Sequence, residues 1–280
     1  MKKEKTGRKI IHEKNPQRVA TLIGSFADIW CLAGGKDALV ATADDTWTQF
    51  DLALRDTVIN LGAIKTPDTE KLIAAAPELV IASANTAADV DMLATLENAN
   101  LTVAYFDVST FEDYLKMLDI CTKITGKTEN YTAYGTDVKA QVDAAKAKAD
   151  GSAPTVLYLR ASGSSVKVKN SEGSVLGEML AALVCKNIAD IDTNLLEQLS
   201  MESILSSDPE QIFIVTQGSD PSKAQAILDE QVLSNPAWQQ LFAVKNGSVH
   251  YMDQQLYNLK PNAKWGDAFE NLAKILYAEK

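Results

Sequence analysis

The sequence predicts an α/β protein of two similar lobes, each a mostly parallel sheet flanked by helices, joined by one long linker helix with a ligand cleft between the lobes. Three observations carry this: an internal repeat, an alternation of short apolar runs with helical stretches, and one amphipathic segment midway along the 280 residues. A chain of this length, 46% apolar and 23% charged, can bury one large or two ordinary cores.

The repeat aligns residues 70–81 with 202–213 without a gap, and each copy reads glutamate, helix, Pro-Glu, strand. Thr66-Pro67 and Ser200 are helix-start signals, the pre-proline residue ends each helix, and a short apolar run follows. Further segments recur in the same order: 19–25 resembles 156–162, and 103–107 resembles 249–253. Each half therefore opens and closes on a strand of similar pattern.

In chain order, the first half predicts strands at 19–23, 39–41, 79–82 and 101–106, and the second at 155–159, 188–189, 211–215 and 248–252. Helical stretches separate them, the order that gives parallel sheets whose ligands bind beyond the carboxyl ends of the strands. Between the halves, Tyr131, Tyr134, Val138, Val142, Ala145 and Ala149 recur at spacings of three and four. That predicts one helix over 128–149, about 30 Å long, a strut that resists large lobe closure, with Gly135 as its weak point. The domain boundaries expected are 1–127, 128–150 and 151–280.

A net charge of -10 disfavours nucleic acid and anionic lipid as partners. No apolar run reaches membrane-spanning length, and Met1 to Lys14 is basic with no apolar stretch behind it. An exported form is expected to start after its signal cleavage point, so localisation must come through function. Cys31, Cys121 and Cys185 are odd in number and far apart, which predicts buried free thiols in place of disulfides or a zinc site. His12 and His250 are the two histidines, and no His/Cys/carboxylate spacing suits a bare metal. An enzyme reading finds little: Gly34-Gly35-Lys36 lacks a phosphate-loop frame, no GxGxxG follows the first strand, and Ser162-Gly163-Ser164 lacks a GxSxG frame or a histidine partner. A cluster of titrating residues with strongly shifted pKa in the cleft would reopen it.

Asn15-Pro16-Gln17-Arg18-Val19, residues 70–80, residues 202–215, Asn235-Pro236-Ala237-Trp238 and Ala243-Val244-Lys245-Asn246-Gly247 occur in this order. On these, nearly the whole chain resembles the helical-backbone (class III) substrate-binding proteins of ABC importers, which serve ferric siderophores, haem and cobalamin. The resemblance implies capture of an iron chelate, ferric siderophore or haem, outside the cytoplasmic membrane, and its delivery to a permease dimer driven by ATPase subunits. It implies no catalysis, no cofactor beyond a metal carried inside the chelate, a monomer, and an extracytoplasmic location, periplasmic or lipid-anchored. It also assigns Glu70 and Glu202 to permease docking; a first-turn carboxylate favoured by the helix dipole is the plain alternative. Cobalamin is the second ligand reading, and a sensory or scaffold protein and an α/β enzyme remain alternatives.

By the strand-end rule, ligand contacts are expected from residues 25–30, 42–50, 83–88, 160–169, 216–223 and 254–260. Trp47 and Phe50 offer flat apolar surface, or form a lid on their own lobe's core. Arg160 offers a fork for carboxylate or phenolate oxygens, or pairs with Glu172 or Asp190. Tyr257 is an axial phenolate for iron or a packed aromatic, and Lys260 is a weaker candidate. Lys167 and Lys169 alternate with valines as an exposed strand does, so a solvated face is expected for them.

Overall fold

The computed structural model describes residues 15–277, so Met1 to Lys14, with His12, lies outside the described residues. The chain divides into two compact units that meet between Lys139 and Ala140.

In the first unit, β1 (Val19–Thr21), β2 (Leu39–Thr42), β3 (Ile59–Asn60), β4 (Leu79–Ser83) and β5 (Val103–Phe106) form one sheet in the order β3-β2-β1-β4-β5. Every neighbouring pair is parallel. A parallel sheet is covered on both faces by its crossover helices, so its central strands are continuously apolar, and all five residues of β4 are buried. Ala20, Leu61, Leu72, Val80, Leu96 and Tyr105 belong to one core cluster. The two-residue β3 has no sequence signature of its own; it is held by pairing of Ala41 and Thr42 with Ile59 and Asn60. The helix Phe111–Thr125 follows β5, begun by a reciprocal Thr110–Asp113 capping box and ended by Gly126 at φ 75°.

The second unit holds β6 (Thr155–Ser162), β7 (Val166–Lys169), β8 (Lys186–Asn187), β9 (Gln211–Gln217) and β10 (Val249–Met252), with β10-β9-β6 parallel. Beyond β6 the sheet is shared: β8 pairs in parallel with Thr155 and Val156, and β7 runs antiparallel along 158–161. The expected strand at 188–189 is corrected here. Ile188–Ile191 is a helix whose Ala189 N–H is capped by the Asn187 side chain at 3.0 Å, and the strand lies two residues earlier. β6 also runs three residues beyond its expected end, because β7 and β9 both pair with its second half.

The duplication extends to individual hydrogen bonds. The helices Thr69–Ala74 and Met201–Ser207 are capped by Asp68, which accepts from Lys71 N, and Ser200, which accepts from Ser203 N. Asp68, and not the expected Thr66-Pro67, starts the first. Each ends in a left-handed residue directly before a buried proline, Ala76 at φ 43° and Asp208 at φ 40°. Glu78 N–H then donates to Arg18 O at 2.8 Å, as Glu210 N–H donates to Thr155 O at 3.0 Å. The carboxylates of the same glutamates accept from Gln17 N (2.8 Å) and Thr155 N (2.7 Å). The glutamate after each proline thus ties the incoming strand to its neighbour.

Helical conformation runs over 130–146, shorter than the 128–149 expected, and Thr132–Thr136 forms a π-helical turn around the buried Gly135. The apolar stripe persists, with Val138, Val142 and Ala145 buried. Within the second unit, Gln141 packs so closely on the helix Trp265–Leu276 that a Cβ on Gly266 would lie 2.0 Å from its Oε1. Lys148 Nζ sits 2.5 Å from Glu270 Oε1 beside that contact. Burial pushes all three thiols up to about 12. No helix among the described residues is long and apolar enough to cross a membrane.

Candidate functional site

The carboxyl edge of the first unit's sheet carries a hydrogen-bonded polar platform. Thr21 and Thr42 share a hydroxyl hydrogen bond of 2.7 Å, and Thr42 and Thr46 another of 2.8 Å. The Asp45 carboxylate accepts Gly24 N–H at 2.8 and 2.9 Å, placing negative charge at the start of the helix Gly24–Leu32, where the dipole favours it. Asp89 is fully buried and accepts from Ser83 N at 2.8 Å through Oδ2, while its Oδ1 has no partner. Burial pushes its carboxyl up to about 7, and the charge of Asp45 adds to the displacement. One such carboxyl is not a catalytic cluster.

From this platform the short helix Asp45–Thr48 carries Trp47, which at 43% exposure is not sealed over the unit's core. Phe50, three residues on, is half-buried. Both stand on the loop between β2 and β3, beyond the carboxyl end of β2.

In the second unit the expected residues separate. Arg160 lies inside β6, directly opposite Lys167 of β7 and beside Val215 of β9, and is half-buried. Neither acid expected as its partner takes it: the Asp190 carboxylate accepts from Ser171 N at 3.0 Å and Ser171 Oγ at 2.6 Å, and Glu172 is exposed. Tyr257 is a correction. It is 3% exposed, and its hydroxyl donates to Ala268 O at 3.0 Å, so the side chain is the packed aromatic and not an available phenolate. Lys260 is half-buried and already engaged by a neighbour. His250 stacks on Phe213 with ring centroids 5.1 Å apart and shares a 3.0 Å hydrogen bond with Gln211, and burial lowers its pKa. Among the described residues no group of three His, Cys, Asp or Glu side chains is placed to hold a metal ion.

Glu70 and Glu202 occupy the same position in the two copies, second residue of their helices, and both are exposed. Leu72 and Ile204, two residues on, are each fully buried and anchor the turns that present them.

Sequence reasoning missed Tyr158, Ser174 and Asp89, and placed Lys167 and Lys169 on a solvated face. Lys169 is only half-exposed. A signal for the hairpin existed: Gly163-Ser164 between two valine-bearing runs is a two-residue turn, closed by Ser162 N–H on Ser165 O at 2.9 Å. Reading it would have placed Arg160 and Lys167 together.

The sequence model of the family described as "Periplasmic binding protein" matches residues 19–256. No curated protein matches the chain by sequence. Among solved structures, an ABC transporter substrate-binding protein from Listeria monocytogenes EGD-e is 20% identical with a TM-score of 0.75, over 95% of this chain and 100% of its own. Staphylococcus aureus SirA in complex with staphyloferrin B is 21% identical, with a TM-score of 0.72 over 98% of this chain and 96% of its own. A periplasmic haem-binding protein from Pseudomonas aeruginosa is 22% identical, with a TM-score of 0.73 over 95% and 94%. At these identities the likeness is one of fold.

Proposed function

We propose, from the premise that this chain belongs to the periplasmic binding protein family, that it is the extracytoplasmic substrate-binding component of an ABC importer. In this reading it captures an iron chelate, a ferric siderophore or haem, and hands it to a permease dimer driven by ATPase subunits. It works as a monomer on the outer side of the cytoplasmic membrane, free in a periplasm or held by a lipid anchor. The solved structures of like fold include a staphyloferrin B complex and a haem-binding protein, which support the ligand class.

The observation that carries the reading is the equivalence of Glu70 and Glu202. A permease dimer of approximate twofold symmetry needs two pseudo-equivalent carboxylates, and the duplication supplies them on exposed first turns held by buried Leu72 and Ile204. Trp47, Phe50 and Arg160 are the ligand contacts this reading retains, and the metal enters inside the chelate.

The test is double charge reversal, Glu70→Arg with Glu202→Arg. Both side chains are exposed, so the melting temperature and ligand affinity stay as in the wild type while uptake in cells is abolished. Uptake that survives refutes the docking role. A thermal-shift panel of ferric siderophores, haem and cobalamin identifies the cargo, since ligand at about 100 times its Kd stabilises by about 2.7 kcal/mol. Silence across the panel refutes the iron or corrinoid assignment.

A further inference from the structure

β6 and β7 place three cations on one face of the second unit's sheet. Their antiparallel register sets Arg160 opposite Lys167 and Tyr158 opposite Lys169. Leu157, Leu159, Ala161, Val166 and Val168 alternate with them and belong to the core cluster on the other face. Like charges directly opposed across two strands destabilise the sheet. Nothing among the described residues offsets them: no carboxylate lies within ion-pairing distance of Arg160, Lys167 or Lys169. The acids near them in the chain are turned to other partners, Asp190 to Ser171 and Glu178 to Gly173 N at 3.1 Å. The Lys169 ammonium is held below the usual lysine range, first by burial and then by Arg160 and Lys167.

Two buried hydroxyls also lie on this side. Tyr158 is 0% and Ser174 7% exposed, and the tyrosine Oη and the serine Oγ have no partner beyond each other. The two hydroxyls are neighbours, and Arg160 is near enough to Tyr158 to oppose the effect of burial on its phenol. Ser174 is moreover the N-cap of the eight-residue helix Val175–Ala182, yet its side chain caps nothing. A serine there ordinarily accepts from the first turn, whose free N–H groups and dipole otherwise favour an anion. The loop lies close on the helix, since a Cβ on Gly177 would be 2.3 Å from Asn170 O and 2.7 Å from Ser174 Oγ.

Uncompensated cations and buried hydroxyls with no partner beyond each other both cost stability, and one bound anion relieves both. We propose that Arg160, Lys167 and Lys169, with the hydroxyls of Tyr158 and Ser174, form an anion site that reads carboxylate groups of the cargo. This rests on the importer reading and narrows it: the cargo carries carboxylates, as a hydroxycarboxylate iron chelate or as haem with its propionates, and a neutral trihydroxamate chelate is excluded. The planar Arg160 fork suits two carboxylate oxygens, the ammonium groups supply point charge, and the hydroxyls donate to oxygens that enter deeper.

The experiment titrates the purified protein with ferric citrate, haemin and a neutral ferric trihydroxamate, and melts it with iron-free citrate against sodium chloride at matched ionic strength. The wild type is expected to bind ferric citrate or haemin, whichever is the source of the carboxylates, about tenfold or more tightly over the trihydroxamate. Arg160→Gln with Lys167→Gln removes that preference and the stabilisation by citrate, while the ligand-free melting temperature holds or rises because the opposed charges are gone. The exposed Lys167→Gln alone gives a smaller change in the same direction should the double variant fold poorly. Equal binding by variant and wild type, or citrate stabilisation that both share, overturns the anion site. Binding of the trihydroxamate alone overturns it and leaves the importer reading standing. Citrate stabilisation lost in the variant, with no iron chelate bound by either protein, keeps the anion site and overturns the iron-importer reading.

Discussion

Replacing Asp89 by Asn tests the interior of the first unit through its pH dependence. The carboxyl is fully buried, keeps one hydrogen bond from Ser83 N, and lies under the added influence of the Asp45 charge. Burial displaces it from the ordinary 3.8 to about 7. The folded protein therefore holds this proton more tightly than the unfolded chain, so the stability it contributes is complete below about pH 4 and is lost as pH rises through about 7. At 1.36 kcal/mol per pH unit of displacement, the favoured ionisation of Asp89 in the unfolded chain lowers stability by about 4 kcal/mol by pH 8, against about 2 kcal/mol at pH 5. Asn keeps an oxygen for Ser83 N and never ionises, although its NH2 group inherits the site of the partnerless Oδ1 at a cost that does not vary with pH. Asp89→Asn should thus gain about 2 to 3 kcal/mol on the wild type between pH 5 and pH 8, whatever its absolute offset. Urea unfolding at the two pH values, followed by tryptophan fluorescence, measures that double difference. A difference under about 0.5 kcal/mol would show that Asp89 ionises in the folded state without penalty.

Gly177→Ala should destabilise despite the helix propensity of alanine, by about 1 to 3 kcal/mol, because the new methyl meets the backbone oxygen of Asn170; a raised melting temperature refutes the close packing. Leu72→Ala and Ile204→Ala, equivalent and fully buried, should each cost about 2 to 5 kcal/mol in denaturant unfolding, and a cost below 1 kcal/mol at either would break their equivalence as anchors. Ser200→Ala removes a helix cap and should cost about 1 kcal/mol, and Asp68→Ala removes the matched cap and should also destabilise, by an amount that shrinks at acid pH as its carboxyl, held low chiefly by the Lys71 backbone N–H, protonates; urea unfolding checks both.

The α/β class, the helix–Pro-Glu–strand units and most strands were legible because their signals are local: a period of 2 or 3.6, a proline, a capping residue within three or four positions. The internal repeat told still more, since two copies that each specify the same turn of helix and strand specify the same bond between Pro-Glu and the start of each unit's first strand, at Glu78 and at Glu210. Short elements escaped for the complementary reason. Ile59–Asn60 and Lys186–Asn187 are strands only because neighbours offer unpaired edges, which no window of their own residues contains.

The candidate site divides along the same line. Trp47 and the exposed glutamates are identifiable by residue type and by position after a strand or in a first turn, and Arg160 by type alone, since it lies inside β6. Tyr257 has the right type, and only its burial against Ala268 O removes it. The fold in three dimensions places Lys167 opposite Arg160 and brings together Tyr158 and Ser174, sixteen residues apart in sequence, whose buried hydroxyls have no partner beyond each other. Charge and hydrogen-bond satisfaction are sums over neighbours in space, and the hairpin register and the loop pressed on Gly177 set which neighbours those are. Residue order is enough to specify a duplicated α/β chain with a glutamate at the same place in each copy; where charge is left uncompensated depends on the folded packing.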